Sequence, residues 1–339
     1  MTTPRNASRP AVMTDVARLA GVSHQTVSRV LNGNPQVHPD TRERVMRAVA
    51  ELNYRPNAMA RGLVSRRSRV LGVVSFDTIL FGPASTLLGI ERAARAAGYG
   101  VSIATLERVD RQSVLEAADN LAGQGVDGVI IIAPQMAAAA ALHNLPKGMA
   151  AVAVEAGQDS GLPSVSVDQI EGARLAVQHL LDLGHKTVWH IAGPNDWLEA
   201  RDRIEGWRET LTKTGAPVPA AIAGDWSAQS GYAAGVALAG QPEVTAVFAG
   251  NDQMALGLLR ALHERGLRVP EDISVIGFDD IPESGFLLPP LTTIRQDFDE
   301  VGRRSMATLL QLLDNTTPSS ASPVAPILVT RASTAPPKR

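Results

Sequence analysis

From Val70 onward the sequence alternates short apolar runs with amphipathic stretches, and that alternation leaves few architectures open to it. VLGVVSF, GVSIATL, GVIIIAP, MAAVAVE, VSVD, TVWHIAG, AVFAG and ISVIGFD read as strands, apolar enough along their length to be covered on both faces. Helical periodicity fills the gaps, around 84–97, 172–183, 207–212, 231–239 and 254–263. Strand and helix in repetition predict an α/β body with parallel sheets wrapped by helices, and so many units predict two lobes. Several strands end in polar turns holding Glu155, Asp168, Asn195, Asp196, Asn251, Asp252, Asp279 and Asp280. In open α/β sheets the ligand crevice lies at those carboxyl ends. Trp197, Trp207 and Trp226 are candidates for stacking there, or equally for core packing. Sugars suit such a cleft, since hydroxyls pair with carboxylates, amides and Arg forks while C–H faces lie on aromatic rings.

A differently composed head precedes this body. Residues 1–69 hold twelve Arg, no Lys and four acidic residues, Asp15, Asp40, Glu43 and Glu51, for a net charge of +8. The remainder carries 20 basic and 30 acidic residues, or −10, within a chain whose total is −2. A basic head on an acidic body suits phosphate attraction at one end and solubility at the other. Within the head, TDVARLAGVSHQTVSRVL reads as two short amphipathic helices meeting at Gly21, the pattern of a helix-turn-helix. Val16, Ala17, Leu19 and Ala20 form the first apolar stripe, with Thr14 as cap before Asp15. Ser23 caps the second helix, whose Val27, Val30 and Leu31 share one face while His24, Gln25 and Arg29 are presented outward. Arg matches the two acceptors of guanine and Gln matches adenine in the major groove. PDTRERVMRAVAELN, 39–53, reads as a third helix with Val45, Met46, Val49 and Leu52 inward. After it, 57–63 has the makings of one or two helical turns too short to stand alone, a segment that either folds on DNA or serves as a plain linker.

The absence of cysteine excludes disulfides, thiolate nucleophiles and Cys-based metal sites. No apolar run approaches the roughly 18 residues of a membrane span, and the Arg- and Pro-bearing start has no hydrophobic signal core, so a cytoplasmic protein is expected. GQGVDG, at 123–128, has the spacing G-x-G-x-x-G but precedes a strand instead of following one, so it presents no helix N-terminus to a phosphate. The histidines show no metal-ligand grouping; His179 and His185 flank a helix end, where capping or core roles are the default. Asp279 and Asp280, adjacent on an extended chain, point to opposite sides, so one at most faces the cleft. The expectation is therefore no enzyme, no metal and no cofactor.

In combination, TDVARLAGVSHQTVSRVLNG, VHPDTRERVMRAVAELNYRPN and ARGL in the head resemble the LacI/GalR family of bacterial transcriptional regulators, as do LGHKTVWHIAGP, RDRIEGW, GDWSAQSGY, NDQMALGLLRAL, DISVIGFDD and PPLTTIRQDFDEVGRRS in the body. The resemblance covers 12–330. It implies a flexible tail at 1–11, an all-α helix-turn-helix headpiece at 12–56 and a hinge helix or linker at 57–69. A periplasmic-binding-protein-like core follows at 70–330, two lobes crossed three times by the chain with the C-terminal helix returning to the first, and 331–339 is expected to be a disordered tail. His24, Gln25 and Arg29 would read bases, Thr26 would hold phosphate and Leu63 would wedge into the minor groove, within a DNA-contacting set completed by Thr14, Ser23, Ser28, Asn32, Gln36, Tyr54 and Asn57. For a small-molecule effector the resemblance implies Arg203, Asn251 and Asp279 as polar contacts, Trp226 as stacking ring, Gln296 and Phe298 as far wall, and Leu80 and Pro83 as first-lobe lining. Two positions depart from the pattern: Glu155 replaces a ligand-binding Asp and Glu199 replaces a small Ser, so the expected mono- or disaccharide is not the same galactoside. The implied partners are a pseudo-palindromic double-stranded operator and a second copy of the chain, with no membrane. TRASTAPPKR at the end lacks an apolar heptad for further assembly. The alternative is a regulator of the same fold that answers to a purine or other co-repressor, or to a phosphoprotein.

Overall fold

The computed structural model describes residues 11–31, 33–54, 67–76, 79–106, 110–146, 148–157, 160–318 and 322–338, which divide into two units at Ser68 and Arg69. Asn32, Asn57, Leu63 and most of the expected hinge lie outside the described residues.

The first unit is helical. α1 (Met13–Ala20), α2 (His24–Leu31) and α3 (Pro39–Glu51) bury Val16, Ala17, Ala20, Val27, Val30, Val45 and Ala48 around Tyr54. Gly21 ends α1 at φ 64°, a left-handed turn open to glycine, and Ser23 Oγ caps α2 by accepting from Thr26 N at 3.1 Å. Two local readings need correction. The α1 cap position is Val12, not Thr14, and Asp15 reaches back to accept from Val12 N at 3.1 Å. Leu19 and Met46 are exposed, because three short helices close their core on the Val and Ala side.

The second unit carries two sheets. In the first, β1 (Val70–Phe76), β2 (Gly100–Leu106), β3 (Gly128–Ile132), β4 (Ala151–Val154) and β5 (Ser164–Val165) lie in the order β2-β1-β3-β4-β5, all parallel. The helices α4 (Phe81–Ala96), α5 (Arg111–Gly123) and α6 (Met136–Ala141) connect them. The second sheet contains β6 (Trp189–Ala192), β7 (Ile222–Ala223), β8 (Ala246–Ala249), β9 (Ser274–Asp279), β10 (Thr292–Arg295) and β11 (Ile327–Val329), in the order β11-β10-β9-β8-β6-β7. Only β11 runs antiparallel to its neighbour. Its helices are α7 (Gln169–Asp182), α8 (Leu198–Thr214), α9 (Ala228–Leu238) and α10 (Asp252–Glu264). β3 and β9 are covered on both faces and every residue in them is buried, whereas β2, at the sheet edge, corrects that expectation, with no residue buried.

After β10 the chain returns to the first sheet as α11 (Phe298–Leu313), which packs on α4 and on β3 and β4. That return needs two glycines: a Cβ on Gly302 would stand 2.2 Å from the carbonyl carbon of Gly89, and one on Gly89 would stand 2.3 Å from Phe298 O. The chain thus passes between the sheets after β5, after β10 and before β11, three crossings as expected. Residues 331–338 correct the expectation of a disordered tail. Ser333 Oγ accepts from Thr292 N at 2.7 Å and donates to Val275 O at 2.6 Å, and Arg331 Nη2 reaches Asp280 Oδ1 at 2.6 Å. A polar segment with no apolar periodicity is held here by backbone and hydroxyl hydrogen bonds to β9 and β10, a signal that hydropathy does not carry.

Candidate functional site

Segments that follow strands of both sheets border one open cavity between the sheets. Leu80, Phe81, Gly82 and Pro83 come from the start of α4; Trp197, Glu199, Arg203, Trp226, Asn251, Asp279 and Gln296 come from the second-sheet side and its crossing. Eight of the ten expected effector residues are therefore brought together. Glu155 and Phe298 do not line the cavity. Phe298 meets Phe81 edge-on at 5.9 Å, and Glu155, buried at the end of β4, accepts from Val167 N at 2.8 Å.

The polar centre is a closed circuit. Arg203 Nε donates to Gln169 Oε1 at 2.9 Å, Gln169 Nε2 to Gln296 Oε1 at 2.9 Å and Gln296 Nε2 to Asp279 Oδ1 at 2.7 Å, while Arg203 Nη2 lies 3.8 Å from the same oxygen. Arg203 also donates to Gly250 O at 2.5 Å and stands 3.8 Å above the Phe278 ring, so a buried guanidinium is satisfied on its edge and covered on its face. Gln169, Phe81 and Gly82 were not anticipated. Gln169 had a readable signal, for it occupies the core-facing row of α7 with Gly172, Ala173 and Ala176, where an uncharged polar residue asks for a partner.

Burial pushes the Asp279 carboxyl up to about 7, with Arg203 opposing and Glu199 adding to the rise. It raises Glu199 as well, and Glu155 is raised first by burial and then by the charge of Glu199. Asp252 is pushed up to about 7 by burial and by Asp279, although Ser284 Oγ, Thr293 Oγ1 and Ile281 N all donate to it, and its role is structural. Asp280 turns away and pairs with Arg295 and Arg331, so one member of the acidic pair faces the cavity, as expected. The reason differs from simple strand alternation: both residues have positive φ, 109° and 56°.

Trp226 and Trp197 form the aromatic wall, meeting edge-on at 5.8 Å; Trp226 adopts φ 71° and its ring fills the space a side chain on Gly193 would need, 2.1 Å from the nearest ring atom. Strained backbone at Glu155 (φ 56°), Trp226 and Asp279 concentrates at this one place. Trp207 belongs to the core, its Nε1 donating to Val188 O at 2.8 Å. His185 is likewise structural, bonded to Thr245, Ser274 and Ala335, and His179 meets Thr334.

In the helical unit His24, Gln25, Arg29 and Gln36 are exposed, with the first three on the outer side of α2. Thr14 is exposed, Ser23 and Thr26 share a hydroxyl hydrogen bond at 2.9 Å, and Ser28 is partly exposed. Tyr54, read as a DNA contact, is a core residue of the headpiece, 8% exposed. Among the described residues no group of acidic, His or Cys side chains has metal-site geometry, and no helix is long and apolar enough to cross a membrane.

Residues 12–57 match the family model for bacterial regulatory proteins of the lacI family, and 177–334 match a periplasmic binding protein-like domain. The lactose operon repressor of Escherichia coli (strain K12) is 40% identical over 310 residues, covering 90% of this chain and 85% of the repressor. The HTH-type transcriptional regulator CelR of Thermobifida fusca is 38% identical over 334 residues, covering 93% of this chain and 94% of CelR. The lac repressor dimer bound to operator and the anti-inducer ONPF superposes with a TM-score of 0.86 at 38% identity, over 96% of this chain and all of that one. A complex of CelR with cellobiose gives 0.69 at 34% identity, over 95% of this chain and 99% of that one. With head and body each matched in this way, the chain belongs to the lacI family of bacterial regulatory proteins and is a DNA-binding transcriptional regulator.

Proposed function

We propose that this regulator is a repressor that holds a pseudo-palindromic operator as a homodimer and releases it when a mono- or disaccharide occupies the cavity between the two sheets. The observation that carries the reading is the cavity itself. Arg203, Asn251, Asp279 and Gln296 supply both donors and acceptors for hydroxyls, and Trp226 and Trp197 supply faces for C–H groups. Support comes from relatives whose solved forms hold operator, ONPF or cellobiose.

On DNA, α2 enters the major groove with His24, Gln25 and Arg29 toward base edges, two such helices lying about 34 Å apart. Thr14, Ser23, Thr26, Ser28 and Gln36 stand at the phosphates, and Asn32, Asn57 and Leu63, the last as a minor-groove wedge, complete the DNA-contacting set. The sugar acts by favouring one arrangement of the two sheets over another, and by linkage operator and sugar weaken each other's binding equally. The protein carries out no turnover and works in the cytoplasm. A thermal-shift screen of sugars and nucleobases against the full chain tests the ligand class, because a compound that binds only the native state raises its apparent stability. A nucleobase hit with no sugar hit would replace this reading with that of a purine-responsive regulator. An operator retained at saturating sugar would remove the inducer role.

A further inference from the structure

Among the described residues, the cavity is lined by two carboxyl groups, Glu199 and Asp279, and one guanidinium, Arg203. Arg203 is engaged by Gln169, Gly250, Asp279 and Phe278, and its nearest carboxylate is Asp279. Glu199, one turn earlier on α8, lines the same cavity and has no hydrogen bond or ion pair among the described residues. Glu155 lies behind it, close enough for each charge to disfavour the other, and is satisfied on one oxygen only by Val167 N. Among the described residues, Arg203 is the one cation that lines the cavity. Two buried carboxyl groups beside a single, already matched guanidinium either keep their protons or are joined by something positive.

An independent observation points to a ligand. Trp226 is 5% exposed, its ring forms part of the cavity wall, and its Nε1–H has no acceptor among the described residues. Trp197 and Phe81 add aromatic surface to the same wall. Aromatic faces beside unpaired carboxylates select an ammonium carried on a ring with an apolar C–H side. A neutral sugar would offer Glu199 no positive partner, and a phosphorylated one would bring an anion beside it.

We propose that the effector is an amino sugar whose ammonium group seats against Glu199, with Glu155 behind it, while its ring lies on Trp226 and a ring oxygen or hydroxyl accepts from the indole N–H. This proposal rests on the reading of the cavity as a carbohydrate site and names the sugar class it takes. The test is calorimetry and thermal shift on the full-length protein with three matched sets, at a pH where the amines are protonated. The sets are D-glucosamine with D-glucose and N-acetyl-D-glucosamine, D-galactosamine with D-galactose, and the β-1,4 dimer of glucosamine with cellobiose. In at least one set the amine is expected to bind about tenfold tighter than its neutral parent. The N-acetyl sugar, which keeps the bulk and loses the charge, is expected to fall with the neutral sugars. Glu199→Gln, which keeps the shape, is expected to abolish the preference. Neutral parents that bind as tightly as the amines would overturn the inference and leave the carbohydrate reading standing. A preference for amines that survives both Glu199→Gln and Glu155→Gln would also overturn it. No response to any sugar, charged or neutral, would overturn both together.

Discussion

Gln169 Nε2 donates to Gln296 Oε1 at 2.9 Å, joining two chain segments that each pass between the sheets, one after β5 and the other after β10. Through Arg203 on one side and Asp279 on the other, this amide pair connects the cavity wall to the crossings that must bend if the sheets reorient. Gln169→Ala is expected to leave operator affinity of the sugar-free protein unchanged and to weaken the effect of a bound sugar on that affinity by about 0.5–2 kcal/mol. Fluorescence anisotropy on operator DNA, with and without the sugar found in the thermal-shift screen, measures both. A full sugar effect in the variant would remove Gln169 from the coupling.

Asp279 and Asp252 keep their protons to about pH 7 in the folded chain, and Glu199 and Glu155 are raised as well, whereas an unfolded carboxyl releases its proton near pH 4. Between about pH 4 and 7 the folded state therefore binds more protons than the unfolded one, and these groups make stability fall as pH rises. Glu199→Gln removes one such carboxyl and the repulsion it exerts on Glu155 and Asp279. The variant is expected to melt higher than the parent near pH 7.5 and to lose less stability across this interval, with the two proteins converging near pH 4. Melting curves of the full chain at a series of pH values decide it. A variant with the parent's slope would mean that Glu199 is already compensated.

Much of this architecture is readable in the sequence, and the exceptions have physical causes. Parallel strands covered on both faces, such as GVIII at 128–132, announce themselves by unbroken apolar runs, whereas TTIR at 292–295 does not. Thr292 and Thr293 are fully buried there because Ser333 and Asp252 satisfy them, partners 41 residues away in each case. In the helical unit the spacing located all three helices but misassigned Leu19 and Met46, since helices of 8 to 13 residues leave apolar side chains uncovered. At the cavity, strand-end polarity and family likeness together pointed to Arg203, Trp226, Asn251 and Asp279, which line it; Glu155 and Phe298 do not, and Gln169, bonded to Arg203 and Gln296, was overlooked.

Gly302 and Gly89 let α11 cross α4 at backbone contact, so Gly302→Ala is expected to destabilise the body by about 1–3 kcal/mol, the usual cost of overpacking a close helix crossing. Because 2.2 Å to a backbone atom cannot be relieved by a rotamer change, the helices must separate. Urea unfolding followed by tryptophan fluorescence reports on the body specifically, as all four Trp lie at or beyond position 189. An unchanged midpoint would mean that the two helices can part at this crossing without loss of packing.

Arg29 is exposed at the last turn of α2, on the same outward side as Gln25 one turn earlier, while Val27 and Val30 hold the opposite side in the headpiece core. In the proposed complex its guanidinium pairs with the two acceptors of a guanine, so Arg29→Ala is expected to cost about 1–3 kcal/mol on the preferred palindrome. On scrambled duplex the loss is expected to be smaller and to track salt, because there only one positive charge near the phosphates has gone. Selecting the preferred palindrome from a random duplex library and titrating both proteins on it, at two ionic strengths, separates the contributions. Equal losses on selected and scrambled DNA would show that Arg29 serves the backbone and that α2 reads sequence through His24 and Gln25 alone.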